Sequence, residues 1–258
     1  MRFPTHTVIT THKKRKVVSK LSDVQRSLTL MVYGESKVGK STFAVTAPYP
    51  RLMLDVEGGH RFLPITVKYW DPMREEPPVA DGTWDTVVVP VRDYDVVLKA
   101  FQWLQAGKHQ FKSLIIDSIS ELQVKCMDNI AGTEQMKMQQ WGELLRHTQP
   151  LEAVVLTAMA RSDQNGHMKP YLQGQLAVQA PYFYDVLGAI ALESIPNPDP
   201  TQPAYKARRM YVERTEKYDA GERVQGRLGS IVEQGDLGVE RMLDIIFGPK
   251  ATTNKSTN

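Results

Sequence analysis

Residues Gly34 to Thr42 read Gly-Glu-Ser-Lys-Val-Gly-Lys-Ser-Thr, a Gly-x-x-x-x-Gly-Lys-Ser pattern. The segment before it, Leu28-Thr-Leu-Met-Val-Tyr33, has the apolar run of a buried strand, and Ser41-Thr-Phe-Ala-Val-Thr46 reads as the start of a helix. A strand, a glycine loop and a helix in this order leave few folds open. Gly34 and Gly39 let the backbone wrap so that the N–H groups of Glu35, Ser36, Lys37 and Val38 turn inward on an anion, and the helix N-terminus adds partial positive charge. Lys40 then reaches the β- and γ-phosphates of a nucleotide, Ser41 offers its hydroxyl to Mg²⁺, and Thr42 continues the cradle. The pattern is a Walker A phosphate loop. ATP is the expected nucleotide, because the chain carries no Asn-Lys-x-Asp guanine-reading motif.

At 258 residues, with 41% apolar and 24% charged side chains, the chain suits one α/β domain with a large core. No run of about 18 apolar residues and no signal-peptide pattern is found, so the expectation is a cytoplasmic protein without a membrane span. Cys126 is the single cysteine and cannot close an internal disulfide; it reads as a small buried side chain on a helix. The net charge of +3 says little, but its distribution is uneven. Residues 1–26 form a basic arm, 27–248 the ATPase domain, and 249–258 a polar, disordered tail. The arm suits a polyanion partner, and equally a solvated extension.

Apolar segments recur at Arg51-Leu-Met-Leu-Asp55, Thr86–Pro90, Ser113-Leu-Ile-Ile-Asp117 and Ala153-Val-Val-Leu-Thr157. Helical spacing intervenes at Tyr94–Gln105 and from Glu121 to Asn129. This alternation predicts a mostly parallel central sheet with helices on both faces. The Pro- and acid-rich 68–83 stretch and the Gln-rich 158–180 stretch read as loops, the latter a mobile one. Asp185–Leu192, as strand or apolar helix, and Arg208–Arg214 plausibly pair as a C-terminal β-hairpin, with a short helix over Leu237–Phe247 at the end.

Asp117 ends an apolar strand, where a Walker B acid would hold the metal shell; the alternative is a cap on the helix that follows. No second acid stands beside it, which turns attention to Glu57, at the end of another strand and ahead of two glycines. An acid there can activate the attacking water, or else serve as a salt-bridged or capping carboxylate. Thr157 is a candidate to sense the γ-phosphate, or a buried, satisfied hydroxyl.

Gly34–Thr42, Leu54-Asp-Val-Glu57-Gly-Gly, Leu114-Ile-Ile-Asp117-Ser-Ile and Val155-Leu-Thr157-Ala together resemble the RecA-like ATPase core of phage AAA-family proteins, in particular single-strand annealing proteins of the Sak type. The resemblance spans roughly Leu28 to Arg227 and implies a RecA-like P-loop NTPase core with ATP and Mg²⁺. It implies that Glu57 is the catalytic carboxylate. The segment after Thr157 would contact single-stranded DNA through Arg161, Lys169, Gln173 and Gln175. In Lys217-Tyr-Asp-Ala-Gly-Glu-Arg223 the resemblance implies cations, Lys217 and Arg223, that reach a neighbouring subunit's nucleotide; the plain alternative is two surface charges.

The expected function is therefore an ATPase, stimulated by single-stranded DNA, that acts in annealing or recombination as a homo-oligomer, ring or filament. A single-strand-binding protein is a further candidate partner. The phage resemblance would put the protein in the host cytoplasm. A replication helicase component or loader, and a slow nucleotide-dependent scaffold, are the alternatives.

Overall fold

A computed structural model describes residues 26–128, 151–179 and 182–250 of the chain. The basic arm up to residue 25, residues 129–150 and the tail from 251 lie outside the described residues, as does the side chain of Cys126.

Seven parallel strands form the centre of an eleven-stranded sheet: β1 (Leu28–Gly34), β2 (Arg51–Asp55), β3 (Val67–Tyr69), β4 (Thr86–Pro90), β5 (Ser113–Asp117), β6 (Ala153–Ser162) and β8 (Val186–Ile195). They lie in the order β8-β1-β6-β5-β2-β4-β3. Antiparallel β9 (Tyr205–Tyr211) and β11 (Ile231–Val232) extend the β8 side. The short β7 (Met168–Pro170) pairs with β6, and β10 (Gly221–Glu222) with β8. β6 thus lies between the strand that feeds the phosphate loop and the strand that ends in Asp117.

Central parallel strands are covered on both faces, which is why β2 and β5 read as continuous apolar runs and are buried throughout. Leu30 and Val32 of β1 face one layer; Met31 and Tyr33 face the other. Helices α1 (Lys40–Ala44) and α5 (Val239–Phe247) pack on the first side, with Phe43, Val239, Met242, Leu243 and Ile246 in the core. Helices α2 (Tyr94–Gln105) and α3 (Ile119–Asp128) cover the second. In α2, Tyr94, Val97, Phe101 and Leu104 recur at helical spacing along one buried stripe, and Asp93 caps the helix by accepting from the Val96 N–H at 3.1 Å. Each such large apolar side chain contributes about 1.5–3 kcal/mol on burial. No helix among the described residues is long and apolar enough to cross a membrane.

The expected α/β architecture is present, and α2 occupies the residues its spacing predicts. The 185–192 segment is a strand, and it forms the expected hairpin with β9. Three local expectations need correction. The stretch after Thr157 is not a plain loop: β6 continues to Ser162, turns back as β7, and leads into a short helix, α4 (Gly174–Gln179). The 68–83 stretch opens on the edge strand β3. The helix after the phosphate loop has only five residues, and Val45 ends it by donating to the Ser41 carbonyl.

Candidate active site

All seven parallel strands end on one edge, and the phosphate loop leaves β1 there. Gly34 leaves no room for a side chain, since a Cβ would sit 2.4 Å from the Ile190 carbonyl oxygen. Gly39 has φ 102°, a left-handed conformation that glycine adopts without strain. Lys40 folds back into the loop, and its ammonium donates to the carbonyls of Gly34 at 3.0 Å and Glu35 at 2.8 Å. Burial pushes the ammonium pKa down, while Asp117 and Glu57 push it back up. A half-buried cation facing two acids fits a site that takes a polyphosphate with a divalent metal.

Asp117 is buried at 5% exposure. Burial pushes its carboxyl above the usual carboxylate range; the hydroxyls of Thr157 and Ser41 pull it down, Asp55 pushes it up, and Lys40 pulls it down. Asp117 and Ser41, the expected metal pair, are therefore in contact, and both offer the hard oxygen donors that Mg²⁺ takes alongside phosphate and water. The alternative of a helix cap falls to Ser118 instead, whose hydroxyl accepts from the Glu121 N–H at 3.3 Å.

That same Ser118 hydroxyl donates to the Glu57 carboxylate in a short hydrogen bond. Glu57 is exposed toward solvent, at the mouth of the site. Of the two glycines after it, Gly58 has φ 78°, a left-handed conformation that favours glycine, and Gly59 lies beside the Asp117 carboxylate, where a Cβ would make ordinary contact at 4.0 Å. Of the two readings of Thr157, the structure has the buried, satisfied hydroxyl. It is fully buried, and its hydroxyl donates to Asp117. Its hydroxyl is taken up by the carboxylate.

Three features of the site were given no role by the sequence. Asp55 accepts from the N–H groups of Gly58 at 2.9 Å and Gly59 at 3.3 Å, and its other oxygen pairs with His60 Nδ1. His60 Nε2 in turn meets the Tyr69 hydroxyl at 2.7 Å, so the turn that carries Glu57 is pinned from below. Lys125 donates to the carbonyls of Val56 at 2.8 Å and Val91 at 3.2 Å, tying α3 to two strand ends. Arg208 on β9 donates from Nε to the Val38 carbonyl at 2.9 Å and lies against Gly39, bracing the outside of the phosphate loop. Asp55, two residues before Glu57, was the only one with a legible signal.

The remaining candidates disperse. Arg161 and Lys169 are directly opposite each other on β6 and β7, both exposed, with the Arg161 guanidinium 5.7 Å from the Tyr171 ring centroid. Gln173 is held within the protein: its backbone pairs with the Gln123 amide at 2.9 Å, and its own amide donates to the Tyr171 hydroxyl at 3.1 Å. It is therefore poorly placed as a DNA contact, a correction to its expected role. Gln175 is the second residue of α4, and its side chain lies outside the described residues. Lys217 sits with its own phosphate loop, sharing with Glu35, Ser36, Lys37, Val38 and Glu193 a cleft of about 350 Å³. Arg223 is elsewhere: its N–H donates to the Asp185 carbonyl and its guanidinium to that of Tyr182, both at the start of β8. That is about five strand residues, roughly 16 Å, below the phosphate-loop edge. Lys217 and Arg223 thus do not form one cationic group.

No curated protein is a significant match to the chain. Among solved structures, the RadB recombinase is similar at 15% identity and TM-score 0.44, over 72% of this chain and 80% of that one. The flagellar accessory protein FlaH from Methanocaldococcus jannaschii is similar at 12% identity and TM-score 0.39, over 76% and 82%. The AAA domain family AAA_24 matches residues 26–224, which include the phosphate loop, Glu57, Asp117 and Thr157. With most of its length so matched, the chain belongs to the AAA_24 family of AAA domains.

Proposed function

We propose that the protein is a Mg²⁺-dependent, RecA-like ATPase of the Sak annealing type that binds single-stranded DNA and works as a homo-oligomer in annealing or recombination. The observation that carries this reading is the convergence of Lys40, Asp117 and Glu57 on the sheet edge from which the Arg161–Lys169 hairpin rises. The loop amides and Lys40 bind and orient the phosphates. Ser41 and Asp117 would hold Mg²⁺, which supplies charge neutralisation at the β- and γ-phosphates. Glu57, fixed by Ser118, accepts the proton of the attacking water. Lys217 offsets phosphate charge from within its own subunit, whereas Arg223, remote from its own loop, suits a neighbour's nucleotide. Arg161 and Lys169 bind the DNA backbone, so affinity falls with salt and depends little on sequence.

The test is ATP turnover with and without single-stranded DNA, on wild type and Lys40→Ala, with particle size followed in parallel. Single-stranded DNA should raise wild-type turnover, and Lys40→Ala should remain folded while losing turnover and nucleotide-dependent assembly. Turnover indifferent to saturating DNA, with no DNA bound at low salt, would remove the proposal.

A further inference from the structure

Beneath the β6–β7 hairpin lies a cavity of about 280 Å³, separate from the phosphate loop. Its wall is apolar where Met31, Leu172, Val178 and Leu187 line it; Asp219 lines it too, and Arg161 and Lys169 border it from the exposed hairpin, Lys169 lying 3.9 Å from the Asp163 carboxylate. Tyr184 also lines it. This side chain is 97% buried, and its hydroxyl has no hydrogen-bond partner among the described residues. The hydroxyl is not among the sealed, unpaired polar atoms of the fold, so it opens onto the cavity, where an occupant can bond it. Burial accordingly pushes the phenol pKa well up, holding the group as a neutral donor and acceptor. Tyr33, on the same strand as Met31, shows the ordinary arrangement, its hydroxyl lying 2.8 Å from the carbonyls of Met168 and Asp219.

An occupant that satisfies this cavity must be largely apolar and flat enough for a small space, carry a polar edge for the hydroxyl, and bear an anion at its outer end for the two cations. One nucleotide unit has that make-up: a base with hydrogen-bonding edges, joined through its sugar to a phosphate. We infer that this cavity takes one unstacked base of a single-stranded polynucleotide, with Tyr184 hydrogen-bonded to the base edge and Arg161 and Lys169 on the adjoining phosphate. The inference rests on the single-stranded DNA reading above and adds to it a base-reading pocket. Val178, 71% exposed at the rim, would then pack against the sugar or the neighbouring base.

The probe is a single-stranded oligonucleotide with a central 2-aminopurine, paired with an abasic oligonucleotide of equal length and with free dAMP. Wild type should bind the base-bearing strand more tightly than the abasic one and change the 2-aminopurine emission. Tyr184→Phe, which keeps the ring, should lose about fivefold in affinity for the base-bearing strand and nothing for the abasic strand. Its melting temperature should not fall, since the hydroxyl has no partner to lose. Ala177→Trp, at an exposed position that also borders the cavity, should abolish the emission change by filling the mouth. Equal binding of both strands by wild type and both variants, with DNA still bound, would overturn the pocket alone. Absence of any DNA binding at low salt would overturn the underlying reading with it. Displacement of the oligonucleotide by dAMP at equal concentration would make this a free-nucleotide site and refute the strand assignment.

Discussion

The hydroxyl of Thr157 offers a measurement that separates holding the metal-binding acid from touching the phosphate. Valine is close to threonine in shape, so Thr157→Val removes the donor to Asp117 and leaves the packing of β6 nearly intact. A hydrogen bond to a charged group contributes about 1.5–3 kcal/mol, which corresponds to roughly 10–150-fold in an equilibrium constant. The sign follows from the environment. The Asp117 carboxyl is already raised by burial, and Thr157 is the strongest influence lowering it, so the variant's carboxyl rises further. In the proposed mechanism Mg²⁺ binds the ionised acid. Metal-dependent turnover is therefore lost as pH falls through the raised pKa, and in Thr157→Val that loss begins at higher pH. The assay is ATP turnover titrated with Mg²⁺ at saturating ATP across a pH series. Below both acid limbs the variant should need about 10–150-fold more Mg²⁺ for half-saturation; well above them the two proteins should converge. The folded state of the metal-free variant should also weaken relative to wild type as pH rises, because a raised carboxyl favours folding only while it stays protonated. A Mg²⁺ requirement that is equal at every pH, with an unmoved acid limb, would refute the assignment of Thr157 to Asp117.

Two further outcomes follow from the same geometry. Glu57→Gln keeps the size of the side chain and a contact for Ser118 but removes the base, so ATP should still bind while single-turnover hydrolysis falls about 10²–10⁴-fold, measured by quench-flow. Arg161→Ala should flatten the dependence of log affinity for single-stranded DNA on log salt by about 0.7, the value of one lost phosphate contact, as read from fluorescence anisotropy at several salt concentrations.

What was legible in the sequence was what short-range pattern encodes. The phosphate loop announces itself because its function needs glycines and a lysine at fixed spacing, and the apolar runs ending in Asp55, Asp117 and Thr157 announce central strands because both faces must be buried. Asp117 and Glu57 stood out as acids at strand ends. Arg208 and Tyr184 did not, because each acquires its role from a neighbour far along the chain: Val38 for Arg208 and the cavity under the hairpin for Tyr184; His60 did not because a local turn, which no pattern announces, brings it onto Asp55 and Tyr69. The corrected role of Gln173 fails for the same reason. Gln173 looked free on a polar stretch, but Gln123 of α3 claims its backbone; the separation of Arg223 from Lys217 was equally illegible, because it depends on β10 pairing at the start of β8.

The position of β6 gives a physical route for the expected stimulation by DNA. Its register sets Met159 beside Gly34, so the residues beyond it leave the sheet directly above the phosphate loop. Within one strand, Thr157 holds the metal-binding acid and Arg161 presents a cation to solvent, about 13 Å further on at 3.3 Å per residue. A second link runs through α3. Ser120 donates to the Tyr171 carbonyl at 2.8 Å and accepts from the Met159 N–H at 2.9 Å, so it is fastened to both sides of the hairpin base. Ser118, two residues before it, is the group that fixes Glu57. Under the proposed single-stranded DNA binding, a strand along the hairpin would bear on both acids of the site through these hydrogen-bonded segments. In a packed core such segments shift as units rather than deform.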